Sequence, residues 1–579
     1  MNQTSDANSV RASGALSVDR RVANRWILIT SALIFATLSL MLGALSDGVH
    51  HDDDLTHFLF ARWAWTFPGY FFHLWGRPGY TAPTALIAWI GDRQTAWHIA
   101  RALSASVTLV GALLAADVGR RIGLRYWAWI VCLCYVQPLN FLLSFTTLTE
   151  NFTALYLVAA IWCLQRRRIT WGSALFSLAL VSRVETVVLL PVWGYCAIAM
   201  ARRAAIPWTR ILLAAIVSLW APIAQNVGHF VWFGTLPVSA YLRPSGSTEY
   251  LATGPLAFLP QALLAASPVV FLLAILGAGR VHRRGATSVV SLAFVFLATH
   301  WLIKWFGLFA SGGFARFVVA VAPLLAIAAA GGLETVMSAI RRNGGDTVRV
   351  AVMAFGLLIV GYYATLTEVH AGRLAFNIHR LDVLSSPRVV TALFGIIALN
   401  LILGRMRLWV FGARLGLLFL TVISLGLLTQ FVRPLRLTAV QLIARDVARD
   451  ARRLADGQPV FAANPWIAWW SGFIEDPTAH KGRRLLSSTP VGTIFVWDPI
   501  YSPSDFHRLV LEDFEKDPAY QRIREIPIAD DGAFVILKKV GETAIEGDGV
   551  YYPQPLTLGR GERLGDYYAS EPDADGVDE

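Results

Sequence analysis

The chain has 579 residues, 55% hydrophobic and only 15% charged, with a mean hydropathy of +0.52. A soluble protein carries about a quarter charged residues, and here the apolar residues fall into runs of the ~20 residues that a bilayer crossing takes. That excludes a soluble enzyme and defines a polytopic membrane protein; the formal charge of +11 does not point to nucleic acid, because the basic residues cluster between apolar runs as the positive-inside rule requires.

Residues 1–25 are polar and carry Arg20, Arg21 and Arg25, which places this tail in the cytoplasm. The apolar run at 26–45 is too long for a signal-peptide core and reads as an uncleaved first span. It exits into His50-His51-Asp52-Asp53-Asp54-Leu55-Thr56-His57, within an outer loop at 46–96. Three consecutive carboxylates at a membrane exit have two readings. They could form the acidic first turn of an interfacial helix, where carboxylates satisfy free N–H groups and suit the dipole. Alternatively they are functional, since ionisable groups near lipid are costly. From 63 to 91 the sequence is aromatic and broken by Gly76-Arg77-Pro78-Gly79, as expected of one or two short helices at the outer surface.

Further spans are expected at 98–118, 126–144 and 152–164, with a basic turn at Gly119-Arg120-Arg121 and a short outer turn at Thr146-Thr147-Leu148-Thr149-Glu150-Asn151. The run at 171–200 lies between Arg166-Arg167-Arg168 and Arg202-Arg203. Both ends should be cytoplasmic, so it must be a hairpin of two short helices with Ser182-Arg183-Val184-Glu185 at its tip. Such a turn is tolerated only inside protein or a watery cavity. Runs at 211–232, 255–276, 288–309, 317–340, 350–366, 389–403 and 409–431 complete roughly thirteen membrane segments with alternating basic clusters. The transmembrane domain is thus 26–432, and an odd count puts the C-terminus outside.

Residues 433–540 read as a small extracytoplasmic α/β domain. A helix with Val440, Ile443 and Val447 on one face is followed by strand-like runs at 460–462, 493–497 and 533–537, with a helix near 505–514. Residues 541–579 are Gly- and acid-rich, an acidic flexible tail. The four cysteines, Cys132, Cys134, Cys163 and Cys196, fall inside predicted spans, which gives no disulfide framework and no thiolate metal site.

No phosphate-binding glycine loop is present, so nucleotide binding is unsupported. The topology instead gathers ionisable groups on the outer side: Asp52, Asp53, Asp54, Arg77, Glu150, Arg183, Glu185, Arg243, Lys304 and Arg316. Acids beside cations suit a general base facing a phosphate-bearing substrate. Blander readings stand beside this one: a salt bridge between Arg183 and Glu185, Glu150 as a helix cap, and Lys304 snorkelling to the interface. His50, His51, His57 and the acids are ligand types that could also hold a divalent metal, though no cofactor is required.

Asp53-Asp54-Leu55-Thr56-His57-Phe58-Leu59-Phe60-Ala61-Arg62 resembles the acidic loop motif of the GT-C glycosyltransferases, in particular the protein O-mannosyltransferase and aminoarabinose transferase branches. Trp75-Gly76-Arg77-Pro78, Ala100-Arg101, Leu148-Thr149-Glu150, Ser182-Arg183-Val184-Glu185 and Arg316-Phe317…Ala322-Pro323 resemble further family elements in the same order. Asp54 stands where many relatives have Glu, and Asp52 adds a third acid.

The resemblance implies transfer of a sugar, mannose or a similar hexose or pentose, from a polyprenyl-phosphate carrier to a glycan, lipid or protein hydroxyl outside the membrane. By register it makes Asp53 the base, with Asp54 adjacent and Asp52 a simple cap. Arg77, Arg243 and Arg316 are the candidates for the carrier phosphate, and Glu150, Arg183 and Glu185 for other substrate contacts. A transporter or lipid-linked-sugar flippase is the competing class, but no second copy of the acidic loop or hairpin marks an internal repeat.

Overall fold

The computed structural model describes residues 4–234, 236–237, 258–308, 314–341, 418, 421–422, 424–426, 428–474, 486–503, 507–528, 532–545 and 554–555, with side chains from 22 onward. The spans expected at 350–366 and 389–403, most of 409–431, the loop carrying Arg243 and most of the acidic tail lie outside these residues. Among the described residues, six helices are long and apolar enough to cross a membrane, with a shorter apolar helix at Ile169–Ser182. The protein is an all-α multi-pass membrane protein with an α/β C-terminal part.

Two compact units are present. The first comprises Met1–Ala44, Arg101–Ile223 and Arg243–Arg433. Its helices are α1 (Thr4–Ala44) and the inner part of a helix that begins outside this unit (Arg93–Arg121). They continue with Ile130–Tyr135, Pro138–Leu143, Glu150–Gln165, Ile169–Ser182, Leu190–Arg203, Trp208–Val217, Phe258–Ala266, Pro268–Arg283, Thr287–Phe306 and Ala322–Arg341.

The stretch expected to be one span at 126–144 is two short helices. Pro138 cannot donate its N–H and pushes Gln137 into extended backbone. The Gln137 side-chain amide covers the break, donating to Leu133 O (3.0 Å) and Ala322 O (2.9 Å). The run at 255–276 also divides, at Ser267, whose hydroxyl caps the following helix. Two acids gather the basic side chains of separate clusters. Asp117 takes Arg120, Arg121 and Arg166, while Glu334 takes Arg280 (2.8 Å) and Arg284 (2.7 Å). Helix Pro268–Arg283 crosses Ala322–Arg341 backbone to backbone at Gly277 and Gly332, the close approach that small residues permit.

The hairpin expectation agrees with the structure. Helix Ile169–Ser182 ends at Arg183, which is extended (φ −143°, ψ 120°); a 3-10 turn, Val184–Leu189, leads into Leu190–Arg203. Trp193 stacks on Phe176 (4.9 Å) and donates to Ser173 Oγ (3.1 Å), closing the two arms.

The second unit comprises Leu45–Ala100, Ala224–Leu242 and Pro434–Glu579. Its first helices are Asp52–Trp63 (α2), which carries the acids in its first turn, and Pro78–Ala88 (α3), within the 63–91 stretch where one or two short helices are expected. The C-terminal part opens with Ala439–Ala455, whose N-terminus is closed by a Thr438/Gln441 capping box. Strands β1 (Val460–Ala462), β3 (Ile494–Trp497), β4 (Tyr520–Ile528) and β5 (Gly532–Lys539) form one sheet in the order β1-β3-β5-β4, and β2 (Phe473–Ile474) pairs with β6 (Gln554–Pro555). The β1–β3 pair is parallel and the others antiparallel. The helix expected near 505–514 forms at Leu511–Lys516.

The chain ends of the acidic loop are clamped to the C-terminal segment. Ser46 Oγ accepts Leu435 N–H (2.8 Å), and Asp47 and Gly48 N–H donate to Leu435 O (3.1 and 3.0 Å). Trp469 packs on Phe58 and Trp97, and Arg93 lies over its ring and donates to its carbonyl. The acidic loop thus packs against the helix Pro465–Ser471 and the segment at Leu435.

Candidate active site

Helix α2 begins at Asp52, so Asp52, Asp53 and Asp54 occupy its first turn, where their charge opposes the positive end of the dipole. The cap itself is His51, whose Nδ1 accepts the Asp53 N–H at 3.2 Å and lies 3.3 Å from the Asp53 carboxylate. This corrects the expectation that Asp52 is a simple cap. Asp52 accepts hydrogen bonds from Trp466 Nε1 (2.8 Å), Gln441 Nε2 (3.2 Å) and the Tyr501 hydroxyl. Burial and the neighbouring Asp52 push the Tyr501 phenol well above its usual range, which keeps it a donor. Asp54 is buried, whereas Asp53 keeps 17% side-chain exposure.

Successive residues on a helix diverge by ~100°, so the three acids face three surroundings. Asp52 is consumed by the C-terminal part, Asp54 by the interior, and Asp53 stands beside an imidazole. Among the described residues, no group of three or more His, Cys, Asp or Glu is placed to hold a metal ion.

Arg77 is the residue before α3 and adopts a left-handed backbone (φ 57°, ψ 83°), with Pro78 as the first helical residue. A non-glycine residue held there stores on the order of 1 kcal/mol or more, and such positions cluster where a side chain must be aimed. Gly76 cannot be replaced without collision, since a Cβ would lie 2.8 Å from Tyr70 O. The Arg77 guanidinium sits over Trp75, 5.3 Å from the ring centre. Arg62, the last residue of the acidic motif, is structural and donates to Ala88 O (2.6 Å) and Gly91 O (3.3 Å).

The first unit brings four other expected residues together. Arg183 Nη1 donates to Glu150 Oε1 (3.1 Å), while its Nη2 and Nε donate to Glu185 (3.0 and 3.3 Å). Arg316 Nε lies 3.5 Å from the same Glu150 oxygen. All four are buried. The Arg183–Glu185 salt bridge therefore exists but is half of a larger network. Glu150 stands in the first turn of its helix with its carboxylate turned to the arginines.

Both arginines are delivered by one device. Arg183 precedes the 3-10 turn Val184–Leu189 and Arg316 lies in the 3-10 turn Ala315–Val321; each turn runs into a helix with proline in its first two positions. Phe317 lies beneath both guanidiniums, at 3.7 Å from Arg183 and 5.4 Å from Arg316. Arg243 lies outside the described residues.

The residues that sequence reasoning missed are Gln441, Trp466 and Tyr501, which hold Asp52. The three partners are some 390–450 positions away from Asp52, and no local pattern links them. Asn464-Pro465 followed by Trp466, Trp469 and Trp470 was the available signal for the helix Pro465–Ser471.

No protein-family model and no curated protein matches this chain. Solved structures do, and two of them match over nearly its whole length. ArnT from Cupriavidus metallidurans in the apo state matches at 14% identity, covering 91% of this chain and 99% of that one, with a TM-score of 0.50. The same protein bound to undecaprenyl phosphate matches at 15%, covering 90% and 98%, also at 0.50. The chain shares the fold of these ArnT structures.

Proposed function

We propose that this protein is an integral-membrane glycosyltransferase. It moves a sugar from a polyprenyl-phosphate carrier to a hydroxyl acceptor at the outer face, with Asp53 as general base. The likeness to a structure bound to undecaprenyl phosphate supports the carrier class. The observation that carries the assignment of the base is the division among the three acids: three donors hold Asp52, Asp54 is buried, and Asp53 is partly exposed beside His51.

In this reading the acceptor hydroxyl gives its proton to Asp53 as its oxygen bonds to the anomeric carbon. The bond from that carbon to the phosphate oxygen breaks, and the carrier phosphate leaves with the electron pair. Arg77, in the same unit as Asp53, supplies positive charge to that oxygen, as guanidinium geometry suits phosphate. The donor sugar is a hexose or pentose. The N-terminus is cytoplasmic and residues 433–540 are extracytoplasmic.

The test is to incubate purified protein with undecaprenyl-phosphate-linked mannose, glucose, arabinose or aminoarabinose and a mixed envelope acceptor fraction. Release of undecaprenyl phosphate with a glycosylated product is the expected result. Intact donor carried across vesicle membranes without cleavage would identify a flippase instead.

A further inference from the structure

Asp52 is held through both of its carboxylate oxygens, by two kinds of partner. Gln441 Nε2 (3.2 Å) and Trp466 Nε1 (2.8 Å) donate to Oδ1, while the Tyr501 hydroxyl donates to Oδ2. The first two stand at helix ends: Gln441 completes the capping box of Ala439–Ala455, and Trp466 lies in the first turn of Pro465–Ser471. Tyr501 comes from the loop that follows β3.

A loop keeps a side chain in one place only if something fixes its backbone. Here that group is Asp498, buried directly after β3. Its Oδ1 accepts the N–H groups of Ile500 (3.0 Å) and Tyr501 (2.7 Å), and its Oδ2 accepts the Ser502 hydroxyl (3.1 Å). Ser502 Oγ in turn accepts the Asp498 N–H (3.0 Å), and Ser502 O accepts the Leu509 N–H (2.7 Å). An aspartate bonding to backbone a few residues on is the usual lock of a short turn. Burying a carboxylate is costly unless it is hydrogen-bonded, and these bonds all serve the turn that presents Tyr501.

Docking of the acidic loop does not depend on the Tyr501 hydroxyl. The loop is tied at Leu435 and packs through Phe58 on Trp469, and Asp52 Oδ1 keeps Gln441 and Trp466. What the hydroxyl adds is orientation, because a carboxylate held at both oxygens cannot turn. Thr56 Oγ1 donates to Asp52 O (3.1 Å), which ties the first turn of α2 to the next. Asp53 is the following residue in that first turn, and Tyr501 is within electrostatic reach of it.

Resting on the transferase reading above, we infer that Tyr501 is a positioning residue for Asp53. Asp498 aims the Tyr501 hydroxyl, the hydroxyl fixes Asp52, and Asp52 sets where the neighbouring base points. A base must come within hydrogen-bond distance of the hydroxyl it deprotonates, and ~1 Å of misplacement can cost ~100-fold in rate. The C-terminal part thus governs the reaction without touching substrate.

Tyr501→Phe removes the hydroxyl and keeps the ring. The full-length variant is assayed with the undecaprenyl-phosphate-linked sugar that wild type consumes. Turnover at saturating donor and acceptor should fall at least ~10-fold, while the donor KM stays within ~twofold. Asp498→Ala should lose turnover in the same way, and Asp498→Asn, which keeps an oxygen for both N–H groups, should recover most of it. In an Asp53→Asn background Tyr501→Phe should cause no further loss, because the group it positions is gone; a merely structural role would cost both backgrounds alike. Should Tyr501→Phe not fold, Asp498→Ala against Asp498→Asn is read by the same criteria.

The assignment is overturned if folded Tyr501→Phe turns over like wild type, if the donor KM rises as turnover falls, or if the loss is as large in the Asp53→Asn background. Asp53→Asn turning over like wild type, or wild-type protein that releases no undecaprenyl phosphate, overturns the transferase reading itself, and this assignment with it.

Discussion

Arg183→Ala removes three hydrogen bonds to two carboxylates and the cation lying 3.7 Å from Phe317. Glu185 then loses its Arg183 contacts, and Glu150 is left with Arg316 at 3.5 Å. Breaking a buried ion pair by deleting one partner costs ~3–5 kcal/mol, because the remaining charge is uncompensated; replacing the whole pair by neutral groups is often close to neutral. The single variant should therefore lose several kcal/mol, whereas Arg183→Met combined with Glu185→Gln should recover most of it, since it strands only Glu150, which keeps Arg316. Thermal unfolding in detergent, followed by tryptophan fluorescence, gives the comparison, with activity per folded molecule measured in parallel. The expected order is wild type, then the double variant, then Arg183→Ala. If Arg183→Ala unfolds within ~1 kcal/mol of wild type, or the double variant is worse than the single, then the network is not what organises the hairpin tip.

Three further outcomes are expected. Asp52→Ala should destabilise the second unit by on the order of 3 kcal/mol, because hydrogen bonds to a charged group are each worth ~1.5–3 kcal/mol and three that share one acceptor do not add fully. Limited proteolysis of the full chain should then cut earlier in the region after 433, and unchanged protection would remove the clamp. Gly277→Ala would set a Cβ 1.9 Å from Ala328 O, forcing two helices apart at a cost of ~1–3 kcal/mol or more, and an unchanged unfolding temperature would contradict that crossing. A topology reporter fused after Arg433 should read extracytoplasmic and one at Arg167 cytoplasmic; a cytoplasmic signal after Arg433 would break the alternation of basic clusters.

Much of this architecture is readable along the chain because membrane spans are local features. The break at Arg183 was visible because basic clusters on both sides of 171–200 forbid a single crossing. The strands at 460–462, 494–497 and 532–539 carry continuous apolar runs. Strand β4 escaped notice because Gln521-Arg522-Ile523-Arg524-Glu525 is charged and mostly exposed, with a register irregularity between Arg522 and Arg524. The interruption at Gln137-Pro138 was missed although proline is its cause, since overall hydropathy there continues unbroken. Motif order placed Glu150, Arg183 and Arg316 in one functional group, but only packing reveals that they neutralise one another. Asp52's role depends on side chains far along the chain, which no periodicity encodes.

In the proposed reaction Asp53 takes the acceptor's proton. Asp53→Asn keeps the side-chain volume and the N–H that His51 accepts, and removes the basic oxygen. General-base catalysis contributes ~10²–10⁴-fold, so turnover at saturating donor and acceptor should fall at least ~100-fold, with donor binding intact. Asp53→Asn turning over at close to the wild-type rate would contradict the account and move the base to Asp54 or Glu150.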